Sequence, residues 1–97
     1  MKQGVINRVI MKEERQSEGF RYTYELILGE GVRTADWRLP LYSIRISMTD
    51  GVGNTSKREA EDLFTDSVRA VEFFKRLVRN LATPIDLGYV IEDELRS

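Results

Sequence analysis

The hydrophobic pattern of this chain changes period once, from two in its first half to three or four in its second. In FRYTYELIL, Phe20, Tyr22, Tyr24, Leu26 and Leu28 alternate with Arg21, Thr23, Glu25 and Ile27, the mark of a strand with one buried face. LYSIRISM repeats the alternation with Tyr42, Ile44, Ile46 and Met48 opposite Ser43, Arg45 and Ser47. Pro40 lies at the start of that strand, where its missing N–H costs least. GVINRVIMKE reads as an earlier strand of poorer phase, Val5 and Val9 alternating with Ile6 and Ile10, which a bulge or burial on both faces would explain. REAEDLF reads as a short fourth strand, with a helical turn as the alternative.

Beyond Phe64 the period is helical. Val68, Val71, Phe74, Val78 and Leu81 recur at three- and four-residue intervals, and Ala70, Phe73 and Leu77 widen the stripe. Thr65 or Asp66 caps the start, and Lys75, Arg76 and Arg79 lie toward the end that favours cations. A second helix begins at Thr83, with Pro84 in its first turn and Asp86 completing a Thr-x-x-Asp capping pattern. Leu87, Ile91 and Leu95 form its expected buried edge. The spacing predicts strands at about 4–12, 20–28, 39–48 and 60–64 and helices at about 66–81 and 84–95, in one domain spanning 1–97. The expected fold class is α+β, an antiparallel sheet of three to four strands followed by two C-terminal helices packed on one face.

The connections carry turn residues. Ser17–Glu18–Gly19 joins the first two strands, and Gly29–Glu30–Gly31 is expected to break the second. Residues 30–38 form an unassigned excursion containing Trp37, and Thr49 to Ser56 is the most flexible-looking stretch.

Composition narrows the chemistry. The chain has no cysteine and no histidine, which excludes Ser–His–Asp catalysis, thiolate nucleophiles and zinc–thiolate sites within one chain. The formal net charge is −1, so no field of one sign draws nucleic acid or an anionic membrane. No apolar run approaches the roughly 20 residues of a membrane span, and a soluble cytoplasmic protein without cofactor or metal is expected.

The acidic ending holds the candidate binding residues. Asp86 sits where a carboxylate caps free N–H groups, which makes it structural. Glu92, Asp93 and Glu94 are consecutive on a helix, so they point about 100° apart and cannot converge on one ion. They read as solvated surface, or as a patch facing basic groups of a partner, with Glu92 four residues before Arg96. Arg69, Arg76 and Arg79 share one side of the long helix and suit an anion or acidic partner, although Glu72 is placed to pair with Arg76. Trp37, between Asp36 and Arg38, reads as a lid over the core edge and as the exposed-aromatic candidate for binding. The tyrosine face of the strands reads as core rather than as a base-stacking platform, since it continues as Leu26 and Leu28.

Three stretches also resemble a known family. YSIRI from Tyr42 to Ile46, the helix VEFFKRLVRNLATP, and the ending from Pro84 to Leu95 are similar to small uncharacterised proteins of clostridial-type bacteria, a domain of unknown function. That family ends in a similar Pro-x-x-Leu…Val-x-Glu-Asp helix and often has histidine where Asp86 stands. The resemblance implies the fold and attaches no activity.

The residues thus favour a non-enzymatic interaction module, either self-associating or serving a protein partner. The rival is a small-molecule sensor or enzyme with a pocket between sheet and helices, using Tyr22, Tyr24 or Tyr42 with a carboxylate. A filled core beside exposed apolar patches favours the first, and a buried cavity of several hundred cubic ångströms, roughly the size of ligand pockets, favours the second.

Overall fold

The computed structural model describes residues 7–34 and 37–96, with the backbone alone for 30–34 and 37–39. Residues 4–6 of the expected first strand and the Trp37 side chain lie outside the described residues. Four antiparallel strands, β1 (Asn7–Ser17), β2 (Phe20–Thr34), β3 (Trp37–Thr49) and β4 (Thr55–Phe64), lie side by side in chain order. Two helices, α1 (Ser67–Arg79) and α2 (Pro84–Arg96), pack on one face, giving an α+β fold.

The hairpins follow from local chemistry. Glu18 and Gly19 both take positive φ, 53° and 84°, between the paired residues Ser17 and Phe20, the geometry that matches the twist of a two-residue hairpin. The stretch expected to be most flexible is a tied turn. The Asp50 carboxylate accepts from the Val52 and Asn54 amides at 3.0 and 2.9 Å and from the Asn54 side chain at 3.2 Å. The Asn54 amide, then those bonds, hold the Asp50 carboxyl below its ordinary pKa. Gly29–Glu30–Gly31 does not end β2; the strand runs on to Thr34, and the irregularity appears as a register shift between Glu30 and Arg33.

Two further register shifts bend the sheet edges. One falls between Val9 and Met11, which leaves Ile10 outside the regular pairing and explains the mixed phase of β1. The other falls in β4 at Asp62, whose φ is 56° and whose amide donates to the Ser43 hydroxyl at 2.9 Å. Ser43 is buried on the face away from the helices, and this bond satisfies it.

The helix-side face is the core. Tyr24 pairs with Ile46 and Leu26 with Ile44, and all four are fully buried under Ala70, Phe73, Phe74, Leu77 and Leu87. Asp66 caps α1 by accepting from the Val68 amide at 3.1 Å. The helix ends with Leu81 at φ 51°, its amide bonded to the Val78 carbonyl and that of Ala82 to the Leu77 carbonyl, both at 3.1 Å. Tyr24 then donates its hydroxyl to the Ala82 carbonyl at 2.9 Å, tying the sheet to the junction between the helices.

The caps of α2 are as expected. The Thr83 amide donates to Asp86 at 3.0 Å, and the Asp86 amide donates to the Thr83 hydroxyl at 3.2 Å. Two positions in the expected stripes are misplaced. Val68 is 64% exposed and Leu95 is 65% exposed. Each four-residue step turns about 40° beyond a full circle, so Leu95 has swung some 80° from Leu87. The buried edge instead follows Pro84, Leu87, Val90 and Ile91. Gly88 stands mid-helix, half-buried on the flank beside Arg58, where glycine costs about 1 kcal/mol relative to alanine.

Candidate interaction surface

The helices do not cover the sheet evenly. α1 lies against β2, β3 and β4 and α2 against β3 and β4, so β1 is left beside α1 rather than under it. The residues of β1 paired with the core positions of β2 are Met11 (with Leu26), Glu13 (with Tyr24) and Arg15 (with Tyr22), and these face the helices. Between them and Phe74, Lys75, Val78 and Arg79 of α1 runs an open groove of about 320 Å³. Its floor is Met11, Phe74 and Val78; its walls carry three cations, Arg15, Lys75 and Arg79, against one carboxylate, Glu13. Arg15 is taken by Glu13 at 3.0 Å. Neither Lys75 nor Arg79 joins an ion pair among the described residues.

One long side of this groove is the free edge of β1. In a two-residue hairpin the residues flanking the loop exchange both ladder bonds, so Ser17, Arg15 and Glu13 turn their amides toward β2. By the same alternation Gln16, Glu14 and Lys12 turn theirs outward. The Glu14 carbonyl is accordingly met from outside by the Arg15 guanidinium at 2.8 Å. From Met11 to Ser17 the pairing with β2 is regular, an unbroken template seven residues long.

The residues singled out from the sequence are divided among different roles. Glu94 is not a solvated acid: it receives Arg76 at 2.7 Å and Arg69 at 3.0 Å, with its side chain only 16% exposed. The Arg76 hydrogen bond first, and that of Arg69 second, hold its carboxyl below the ordinary glutamate pKa despite partial burial. The guanidiniums also lie over Phe64 and Phe73, each 5.2 Å from the ring centre. Two of the three arginines expected to meet an acidic partner are thus occupied by this chain's own helix, and Arg76 bonds Glu94 where Glu72 was the expected partner. Glu92 and Asp93 are exposed, and Glu92 borders a separate hollow with Arg58, Ile85, Gly88 and Tyr89. Trp37 opens β3 opposite Thr34.

On the far face of the sheet Arg45 is centred between its cross-strand neighbours, bonded to Glu25 at 2.7 Å and to Glu59 at 3.2 Å. Burial depresses its pKa, and the two carboxylates more than reverse that. The ladder closes on itself rather than reaching outward. The sheet tyrosines Tyr22, Tyr24 and Tyr42 are core: burial, then the neighbouring Tyr22, pushes the Tyr24 hydroxyl up to about 12, so it stays protonated and serves as a donor. Among the described residues, no group of three acidic side chains is placed to hold a metal, and no helix is long and apolar enough to cross a membrane.

The groove residues of β1 were not singled out from sequence, although a signal exists. After Met11 the helix-facing positions become Glu13 and Arg15, which marks a strand that the helices cannot cover.

The chain belongs to a family of unknown function, DUF6514, whose model matches residues 2–97. That match is wider than the third strand and C-terminal half on which the resemblance rested. No curated protein and no solved structure matches the chain.

Proposed function

We propose that this chain is a soluble, cytoplasmic, non-enzymatic module that binds a partner protein by accepting an extended acidic segment along β1. The observation that carries this reading is the pairing of a regular open strand edge, Met11–Ser17, with an apolar groove walled by Lys75 and Arg79. Strand addition derives its affinity from main-chain hydrogen bonds and its selectivity from the pockets that alternate side chains enter. Here every second side chain of the incoming segment would meet Met11, Phe74 and Val78, and acidic groups would meet the two cations. The charged residues along the edge, Lys12, Glu13, Glu14 and Arg15, disfavour indiscriminate pairing and leave the choice to charge pattern. The rival small-molecule reading loses ground because the space between sheet and helices is filled by Tyr24, Leu26, Ile44, Phe73, Phe74 and Leu87.

Selection from a display library of random extended peptides tests it. Alternating apolar and acidic residues are expected among the selected sequences. Lys75→Glu with Arg79→Glu should abolish their binding while the melting temperature holds. Glu14→Pro supplies an independent probe, because it removes an outward amide without touching the ladder to β2. Selected peptides that bind both variants as tightly as the wild type would refute the reading.

A further inference from the structure

The second hollow, on the opposite edge of the molecule, has a different character. Ile85 and Tyr89 stand four residues apart on the outer side of α2, 71% and 68% exposed, with Gly88 between them. Arg58, which faces the helices from the edge strand β4 opposite Ile46, and Glu92, one turn beyond Gly88, complete the lining of this space of about 340 Å³.

Gly88 has no internal reason to be glycine. It lies within the helix, and a Cβ built there would approach only the Arg58 guanidinium, at 3.6 Å, an ordinary contact. A helix that keeps its most flexible residue at a half-buried position beside Arg58, against its own propensity, leaves space on that flank. The flanking charges have opposite signs, and neither Arg58 nor Glu92 forms an ion pair among the described residues.

The geometry points to a second copy of this chain as the occupant, docked across α2 on a two-fold axis near Gly88. In such an isologous contact each residue meets its counterpart's partner, so a patch must be complementary to itself. This one is. Arg58 of each copy reaches Glu92 of the other, Ile85 packs on Tyr89, and the two glycines let the helix backbones approach closely at the crossing. A patch of one helix and one strand residue is small against the roughly 800 Å² per partner of a standard interface, so the dimer is weak and concentration-dependent. It leaves β1 untouched and stands apart from the function proposed above.

Sedimentation equilibrium over a wide concentration range tests this with the full chain. The wild type should move from monomer to dimer as concentration rises. Gly88→Ala should weaken the dimer at least about tenfold, the equivalent of 1.4 kcal/mol, while raising the melting temperature of the dilute monomer. Arg58→Glu and Glu92→Arg should each weaken it, and the two together should restore it. A wild type that stays monomeric at the highest concentration overturns the inference. So does a dimer indifferent to Gly88→Ala, or a charge-swapped double variant no better than either single one.

Discussion

Replacing Glu94 by glutamine separates an internal clamp from a solvated acid. The carboxylate takes two charge-assisted hydrogen bonds, 2.7 Å from Arg76 and 3.0 Å from Arg69, across the interface of α1 and α2. Buried bonds to charged groups contribute roughly 1.5–3 kcal/mol each, but exposed pairs only about 0.2–1 kcal/mol. Glu94 is 16% exposed while Arg69 and Arg76 are 50% and 43% exposed, so solvent screens the cationic half of each pair. Glutamine also keeps an acceptor oxygen. The expected loss is therefore about 1 kcal/mol, which at a urea slope of about 1–2 kcal/mol/M lowers the midpoint by roughly 0.5–1 M. Glu92→Gln, on the solvated outer side, should leave the stability within about 0.5 kcal/mol of the wild type. The pH dependence gives the sharper check. A carboxyl whose pKa is depressed in the folded state stabilises fully above its unfolded value, about 4.3, and the contribution disappears as pH falls through the folded value. The gap between wild type and Glu94→Gln should be widest at neutral pH and close in acid. Equal midpoints at neutral pH, or a gap that persists once the Glu94 carboxyl is protonated, would refute the clamp.

Two further substitutions test the core and its latch. Ile44→Ala, at a fully buried position between Leu26 and Ala60, should cost about 2–5 kcal/mol in urea denaturation, and a variant as stable as the wild type would show the face assignment to be wrong. Tyr24→Phe removes the donor to the Ala82 carbonyl and should cost about 1–3 kcal/mol. Because the folded pKa of Tyr24 is raised to about 12, its contribution is complete below the unfolded value and is lost as pH climbs through the folded one; ultraviolet titration should show one late-ionising tyrosine that the variant lacks.

What was legible in the sequence is what depends on near neighbours. The capping box of Thr83 and Asp86 spans three residues, and the Glu18–Gly19 turn is fixed by its own dihedrals. The alternation from Tyr22 to Leu26 and from Tyr42 to Ile46 needs only a pleat and a core to be read. The rest depends on contacts distant in sequence. Arg76 had a sequence neighbour in Glu72, yet it bonds Glu94, eighteen residues on, because the docking of α2 brings that carboxylate over two arginines at once. Likewise Ser43 reads as an ordinary polar strand residue until the β4 irregularity at Asp62 aims an amide at it. The candidate groove is the extreme case, since it is made by where α1 fails to reach.

That failure has a structural cause. The Tyr24–Ala82 bond fixes the turn between the helices over β2, and the Glu94 clamp holds α2 against α1. With α2 lying against β3 and β4, the helical layer is anchored toward the β4 side, and only the flank of α1 is left to meet β1. A helix pair centred on the sheet would bury Met11 and would require apolar residues where Glu13 and Arg15 stand. The off-centre layer therefore creates both unfilled surfaces together, a strand edge on one side and the outer stripe of α2 on the other. Because they lie at opposite edges, a two-fold contact through Gly88 leaves both β1 edges exposed. Such a dimer would carry two peptide-accepting edges, so weak strand addition at each would be strengthened when a partner presents two acidic segments within reach.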